Sequence, residues 1–563
     1  MWKLKAYDKE KEHHLLDKGI NRLMSRLLAS RDVSVEGVEE FMDAKYESIA
    51  DPYSLNGLKE GVDIFCQAVL QKKKIAVIGD YDADGVISSA MFRMLCKALD
   101  YDCDVFLPNR LEHGYGLNSK TIEAFQEKHA DDIPYLLVAL DCGINNNDEI
   151  EELKMFGVER VVVIDHHIYD DKKLSRSADA LINWRMSDKE EMCTCGELYQ
   201  FIRGVAKFTK KVNPMEFLSY AAIGTIADVT PIQGDNRIMV RHGLDRYALD
   251  HVVPAGLDAL MRQARVYAQN VTQQDIAFRV VPRINAAGRL QDPLMAHTML
   301  VEPDNAMADL MAENLDECNS SRKQLQRSIE KEAIRMVNDI DHPHGILLYN
   351  PNWHIGVVGI VASRVVDEFK KPTLIFGNHN GVIKGSGRSL TGIHLPKIME
   401  MCKSVFEKYG GHDLAVGATL KEDRFTEANA LFNEACRKYY FNTSVKLDDT
   451  KYYDAELRPQ SVTPELIRML KDNLYPYCNQ SNPEPIFLLS DVVITNVEVK
   501  EGEGWQLLRF DVTKDGSDAL LPMMMFSSDY GSEIKYKTAD IYFKLPQGIS
   551  KYSEANVVDI VFK

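Results

Sequence analysis

Short, mostly apolar runs punctuate the first third of the chain. They are Ile75-Ala76-Val77-Ile78-Gly79, Cys103-Asp104-Val105-Phe106-Leu107-Pro108, Tyr135-Leu136-Leu137-Val138-Ala139-Leu140 and Val161-Val162-Val163-Ile164. Runs this short and this apolar fit strands buried on both faces of a parallel sheet. Stretches with helical spacing alternate with them, such as Leu58 to Leu70 before the first run and Val86-Ile87-Ser88-Ser89-Ala90-Met91-Phe92 after it. The alternation predicts an open α/β domain. Residues 1 to about 70 read as helical and show no obvious chemistry.

The pattern then changes twice. From about Asp304 to Asp341 the sequence is charged and helical without an internal Pro or Gly, which predicts one long helix between two lobes. Its basic residues Arg322, Lys323, Arg327 and Lys331 are expected to pair with nearby Glu along the helix surface. A second α/β unit follows: a strand at Gly345-Ile346-Leu347-Leu348-Tyr349, a helix from Gly356 to Phe369, and a strand at Pro372-Thr373-Leu374-Ile375-Phe376. From about Thr443 apolar and polar residues alternate, as in Val492-Val493-Ile494-Thr495-Asn496-Val497-Glu498-Val499 and Leu507-Leu508-Arg509-Phe510-Asp511-Val512, with a turn at Lys514-Asp515-Gly516. This predicts a small barrel or a β sandwich. The expected units are 1–303, 304–341, 342–442 and 443–563.

Composition sharpens this picture in three places. A chain of 563 residues, 45% apolar, holds several cores. No apolar run approaches the roughly 18 residues of a membrane span, and the N-terminus lacks a signal-like stretch. Ten scattered cysteines fit a reducing cytoplasm. A net charge of -17 excludes a generally basic nucleic-acid binder, so any contact with a polyanion must be a local groove of positive charge.

The candidate chemistry gathers at strand ends. Asp80-Tyr81-Asp82-Ala83-Asp84-Gly85 joins the first run to a helix. In an open α/β sheet that turn lies outside the carboxyl end of the strand, where ligands bind. Clustered carboxylates repel one another unless cations sit between them, and hard oxygen donors favour Mg²⁺ or Mn²⁺. The third run ends at Asp141-Cys142-Gly143 and the fourth at Asp165-His166-His167; imidazole among carboxylates shifts the preference toward Mn²⁺. A helical stretch delivers Asp228 just before Val229-Thr230-Pro231, where a helix should stop. Arg110 and Tyr115, on a Gly-containing loop, suit a nucleotide through phosphate pairing and base stacking. Lys384-Gly385-Ser386-Gly387-Arg388-Ser389 has the ingredients of a phosphate cradle, and Gly410-Gly411-His412 reads by itself as a helix C-cap.

Together, Asp80 to Gly85, Asp141-Cys142-Gly143, Asp165-His166-His167 and Gly224-Thr225-Ile226-Ala227-Asp228 resemble the four phosphoesterase motifs of the DHH superfamily. Within it the chain resembles the RecJ family of single-strand-specific 5′ exonucleases. Arg110 before Gly114-Tyr115-Gly116-Leu117, Arg283-Ile284-Asn285-Ala286-Ala287-Gly288-Arg289-Leu290, and the Ser386-Gly387-Arg388-Ser389 and Gly410-Gly411-His412 segments of a companion DHHA1 domain carry the likeness over most of the chain.

The resemblance implies an α/β fold class: a parallel-sheet DHH domain, a long helix, a smaller α/β DHHA1 domain and an OB-like β-barrel. It implies 5′-to-3′ hydrolysis of single-stranded DNA in recombination and repair, with two Mn²⁺ or Mg²⁺ ions. Asp80, Asp82, Asp141, His166 and Asp228 are the implied ligands, with Asp141 bridging. Asp84 is a ligand or an orienting group, and His167 a supporting ligand or a neighbour of the scissile phosphate. Arg110, Tyr115, Arg283, Asn285, Arg289, Ser386, Arg388, Gly411 and His412 are implied to face nucleic acid, and Lys384 joins the arginines in the local basic track. A single-strand-binding protein or a helicase is the candidate protein partner. Three other readings stand beside this one: a phosphodiesterase for short oligonucleotides or cyclic dinucleotides, a manganese pyrophosphatase, and a non-catalytic replication scaffold. Two segments depart from the family pattern, Met192-Cys193-Thr194-Cys195-Gly196 and Tyr475 to Pro485, and neither is expected to touch a candidate ligand.

Overall fold

The computed structural model of the chain describes residues 1–31, 33–249, 253–267, 271–339, 344–379, 381–443, 450–478, 481–502, 505–514, 519–527, 530–546 and 554–563. The four runs, joined by a fifth strand that was not expected, Ala180–Ile182, form a five-stranded sheet in the order Asp104–Phe106, Ile75–Gly79, Leu136–Leu140, Arg160–Ile164, Ala180–Ile182. Every pairing in it is parallel. Both faces are covered: Val77, Val138 and Val162 pack with Phe65 and Phe92, while Ala76, Leu137 and Val161 pack with Phe125.

Register explains why acids meet at one edge. Leu140 is level with Gly79 on one side and with Ile164 on the other. Asp80, Asp141 and Asp165 each follow the last residue of a strand. The ladder runs on by one bond, Asp141 N–H donating to the Ile164 carbonyl at 3.0 Å and Asp165 N–H to the Ile182 carbonyl at 3.1 Å.

The connecting helix spans Asn305–Asp339, 35 residues, or about 52 Å at ~1.5 Å per residue. The expected pairing of its cations with Glu is not found. Arg322 donates instead to Gln326 and Asn319, each at 2.7 Å. Among the described residues Lys323, Arg327 and Lys331 have no ion-pair partner. Spacing works against such pairs: the three stand four residues apart, so each has a like charge one turn away along the helix.

The second lobe is a mixed sheet in the order Phe406–His412, Ala415–Leu420, Val382–Arg388, Thr373–His379, Ile346–Tyr349. Ser386 and Arg388 therefore lie on a strand, and so does Gly410-Gly411-His412, which is no helix cap. Gly385 and Gly387 alternate with polar residues because their face packs on Phe376 and Leu374, where a side chain would collide.

At the C-terminus Phe487–Gly502, Trp505–Thr513, Leu521–Phe526, Ala555–Phe562 and Thr538–Lys544 pair in that order, and the last pairs back with the first. The sheet closes, so it is a barrel and not a sandwich. Of the expected turn, Asp515 and Gly516 lie outside the described residues, as do Asn479 and Gln480 of the second departing segment. The N-terminal helices send Leu15, Met24, Leu27 and Leu28 into the barrel's core rather than toward the first sheet. Strand Trp2–Leu4 pairs with Lys451–Tyr453, and the Trp2 ring stacks on Tyr542 at 4.2 Å. Arg237 links this unit to the first lobe, donating to the carbonyls of Phe41, Asn473 and Leu474 at 3.0 Å and of Pro476 at 3.1 Å.

Candidate active site

The first strand delivers Asp80 into a turn that Gly85 keeps tight. A Cβ at Gly85 would lie 2.5 Å from the Asp80 carbonyl oxygen and 2.6 Å from its amide nitrogen. Asp82 caps the helix Ala83–Ala98, accepting from the amides of Asp84 at 2.9 Å and Gly85 at 3.3 Å. Asp80 is 1% exposed, and its Oδ1 has no hydrogen-bond partner. Burial, and then the Asp82 charge, push its carboxyl up to about 8. Asn285 Oδ1 accepts from the Ala83 amide at 3.0 Å, and a Cβ at Gly288 would lie 2.4 Å from the Tyr81 carbonyl oxygen. The Arg283 to Leu290 segment is thus the bed of the acidic turn, and the Asn285 amide oxygen is already engaged in holding it.

Asp141 turns the chain in a left-handed conformation, φ 62, which Asp tolerates better than most residues. His166 Nε2 lies 3.3 Å from Asp141 Oδ1, and its Nδ1 lies 3.8 Å from Asp228 Oδ2. Asp228 sits at the end of helix Leu218–Ala227, points back toward His166 and accepts from Thr230 Oγ1 at 2.7 Å. Burial pushes its carboxyl up to about 6, against the pull of His166. His167 Nδ1 is 2.7 Å from Asp165 Oδ1 and its Nε2 is 2.8 Å from the Tyr115 hydroxyl. Asp165 Oδ1 also accepts from the His167 amide at 3.2 Å, and its Oδ2 from the Ile144 amide at 2.9 Å. Burial would raise Asp165, but the bond to His167 and that ring's charge outweigh it and hold the carboxyl below the usual range. Burial would lower His167; the bond and charge of Asp165 instead push it up to about 9.

Two donor sets result. Asp80, Asp82 and Asp141 form one and Asp141, His166 and His167 the other, each with one donor atom per residue within 4.8 Å of the rest. They share Asp141, whose carboxyl burial and then the Asp84 charge push well above the usual range. Buried like charges, an unpartnered Asp80 oxygen and a mixed oxygen and nitrogen donor set fit a pair of Mn²⁺ or Mg²⁺ ions.

Asp84 faces away from that pair. Its Oδ2 accepts from the Thr194 amide at 2.8 Å and its Oδ1 from the Cys195 amide at 3.0 Å, at the N-terminus of helix Thr194–Ala206. Both oxygens are engaged, the geometry of an orienting group. Thr194 Oγ1 also donates to Asp141 Oδ1 at 3.2 Å. Met192 to Gly196, expected to stand clear of the ligands, is therefore in contact with two of the candidate carboxylates. Gly224 makes room for it, since a Cβ there would lie 2.4 Å from Cys195 Sγ. Asp165, Thr194 and Asn183 were not among the expected site residues. Asn183 Nδ2 donates to the carbonyls of Asp165 and His167, the latter at 2.9 Å.

The cations divide. Arg110 lies over the Tyr81 ring at 5.3 Å. Burial, and then the charges of Arg110, Arg322 and Arg388, push Arg289 down to about 10, so charges from the first lobe, the connecting helix and the second lobe all act on it. Arg289 donates to the Gly356 carbonyl at 3.2 Å, and Arg388 to Ser386 Oγ at 3.0 Å. Arg283 is committed elsewhere, 2.6 Å from Asp316. Tyr115 and His412 are exposed, and Gly411 has φ 151.

Comparison with known proteins follows the same lines. The DHH family, N-terminal domain, matches residues 74–225, and the DHHA1 domain matches residues 343–438. The single-stranded-DNA-specific exonuclease RecJ of Haemophilus influenzae is 31% identical over 489 residues, which cover 83% of this chain and 82% of that protein. RecJ of Escherichia coli is 31% identical over 491 residues, with the same shares. RecJ of Thermus thermophilus in complex with Mn²⁺ superposes with a TM-score of 0.81 at 24% identity, covering 99% of this chain and 79% of that one, a likeness of fold. A second exonuclease RecJ, bound to manganese, gives a TM-score of 0.60 at 31% identity over 68% of this chain and 95% of that one. With this identity sustained over most of both chains, and with the acid and imidazole sets in place at the strand ends, the chain belongs to the RecJ family of DHH phosphoesterases.

Proposed function

We propose that this chain digests single-stranded DNA from its 5′ end by metal-dependent hydrolysis of phosphodiester bonds, in recombination and repair. The observation that carries the reading is the pair of donor sets sharing Asp141, set beside arginines from two lobes. Asp80, Asp82, Asp141, His166 and Asp228 hold two cations, which when bound activate water and stabilise the leaving oxygen. Asp84 anchors the acidic turn to helix Thr194–Ala206. His167, fixed by Asp165 and Tyr115 and a member of the second donor set, is a supporting ligand. The 5′ polarity comes from Arg110, Arg289 and Arg388: an end differs from an interior by its terminal phosphate, and a planar guanidinium grips that group through paired hydrogen bonds. Ser386 supports Arg388, and Gly411 and His412 border the strand's path. The site of action is the cytoplasm, where the cysteines stay free, and a helicase or single-strand-binding protein presents the substrate. Among the described residues no helix is long and apolar enough to cross a membrane.

The test is a paired rate measurement with Mn²⁺ on two single strands that differ only in a 5′-phosphate, beside a duplex and a dinucleotide. Arg388→Ala, and to a smaller extent Arg110→Ala, should slow the phosphorylated strand far more than the 5′-hydroxyl one while Mn²⁺ affinity is unchanged. An equal loss on both makes these arginines general backbone contacts and ends the polarity argument.

A further inference from the structure

Lys384 stands two residues from Ser386 and four from Arg388 on strand Val382–Arg388, so all three side chains share one face. Register carries that face across two more strands. Arg388 pairs with Ala415 and Ala415 with His412; Ser386 pairs with Gly417 and Gly417 with Gly410; Lys384 pairs with Thr419 and Thr419 with Lys408. The first and third rungs end in cations or imidazole, and the middle rung is small. Nothing lies within 4 Å of a Cβ built at Gly410 or Gly417, so this middle is an open, flat shelf. The other face of the same strands, with Val416, Ala418 and Leu420, is core. First rung to third is four residues, about 13 Å at ~3.3 Å each.

At the far end of the shelf a charge from the other lobe is felt. Lys120 lies on helix Ser119–His129, just beyond the Tyr115 loop. Its charge and that of Lys408 both act on Lys384 and, after burial, hold that amine below its usual range. Among the described residues none of the three lysines has a carboxylate partner, while neighbouring Glu407 is taken by Lys421 at 3.7 Å. Three like charges drawn from two lobes repel one another, in a chain whose net charge is -17 and whose acids are abundant. A phosphate backbone supplies the missing counter-charge.

We propose that Lys120, Lys384 and Lys408 form a second backbone-phosphate site, bridging the lobes a few nucleotides in from the 5′ end, and that it sets the strand length needed for tight binding. The inference rests on the single-strand reading above. End recognition and length recognition are then separate: arginines grip the terminus, and the lysines grip the strand beyond the shelf.

The test is equilibrium binding by fluorescence anisotropy, without divalent cation, on 5′-phosphorylated strands from the dinucleotide upward. The parent chain should show a step in affinity at the length that reaches the lysines. Lys120→Gln with Lys408→Gln, both exposed and so neutral for folding, should remove the step, weaken long strands roughly tenfold, and lower the log–log salt slope by ~0.7 for each phosphate no longer neutralised. Equal weakening at every length would overturn the proposal. So would an intact step in that variant with a lost step in Lys323→Gln/Arg327→Gln, since the strand would then leave along the connecting helix. If the parent neither binds nor digests long single strands, it is the function reading that fails.

Discussion

Asp165→Asn tests the site where its geometry is most demanding. Asp165 receives three bonds: the His167 ring and amide on Oδ1, and the Ile144 amide on Oδ2. A carboxylate accepts at both oxygens; an amide accepts at one. If Asn keeps its oxygen toward His167, its NH₂ faces the buried Ile144 N–H across the 2.9 Å that now spans donor and acceptor. Stranding that donor costs ~1–3 kcal/mol. If the amide flips, the ring loses its acceptor and with it the orientation that brings Nε2 to the Tyr115 hydroxyl. Either way the charge-assisted bond to the imidazole, worth ~1.5–3 kcal/mol, is gone. Losing a partner of this kind behind a metal-site histidine lowers metal affinity or activity by roughly 10–100-fold. The measurements are Mn²⁺ binding by calorimetry and kcat/KM on a 5′-phosphorylated single strand. A variant with parental values for both would show that Asp165 does not hold His167 for the reaction, and the two-set description of the site would be wrong.

Asp141→Ala should abolish hydrolysis and Mn²⁺ binding while circular dichroism is unchanged, because one carboxylate serves both donor sets; near-parental activity at saturating Mn²⁺ would remove it from the bridge. Thr194→Val deletes the bond to Asp141 but keeps the backbone donors to Asp84, so the rate should fall about tenfold, for ~1.4 kcal/mol, with an unaltered melting temperature. Asp80, pushed up to about 8, and Asp228, pushed up to about 6, keep protons in the folded chain that the unfolded chain has released above a pH of ~4. Metal-free protein must therefore lose stability as pH rises from about 4 toward 8, and Mn²⁺ should flatten that slope. Denaturant melts with and without chelator check this, and a slope that is the same in both refutes it.

The first sheet is legible in the sequence because a strand buried on both faces must be apolar at every position, and Leu136–Leu140 is. The connecting helix is legible from its freedom from Pro and Gly. The strand Val382–Arg388 is harder to see, since Gly385 and Gly387 look like loop residues until Phe376 and Leu374 are known to lie beneath them. The union of the N-terminal helices with the barrel joins residues more than 400 positions apart, and no local pattern announces it: Leu15 in one core with Phe487 is a property of the folded chain alone.

The site divides by the kind of atom each residue contributes. Asp80, Asp141 and His166 are chemically conspicuous and sit where a parallel sheet presents ligands, so type and position together expose them. Thr194 and Cys195 act on Asp84 through peptide N–H groups, which every residue except proline possesses. Nothing in the letters Cys-Thr-Cys marks a helix N-terminus aimed at a carboxylate 110 residues upstream. Only the fold brings that helix dipole to Asp84, and it does so through Gly224, whose missing side chain lets Cys195 approach. A sequence reading therefore finds the groups that bind and react, and overlooks backbone groups that hold them in place. The Cys-Thr-Cys segment departs from the expected family pattern, yet the bonds to the Asp84 carboxylate need only backbone amides, while the Thr194 side chain adds the bond to Asp141 and the Cys195 thiol one to the Asp84 carbonyl.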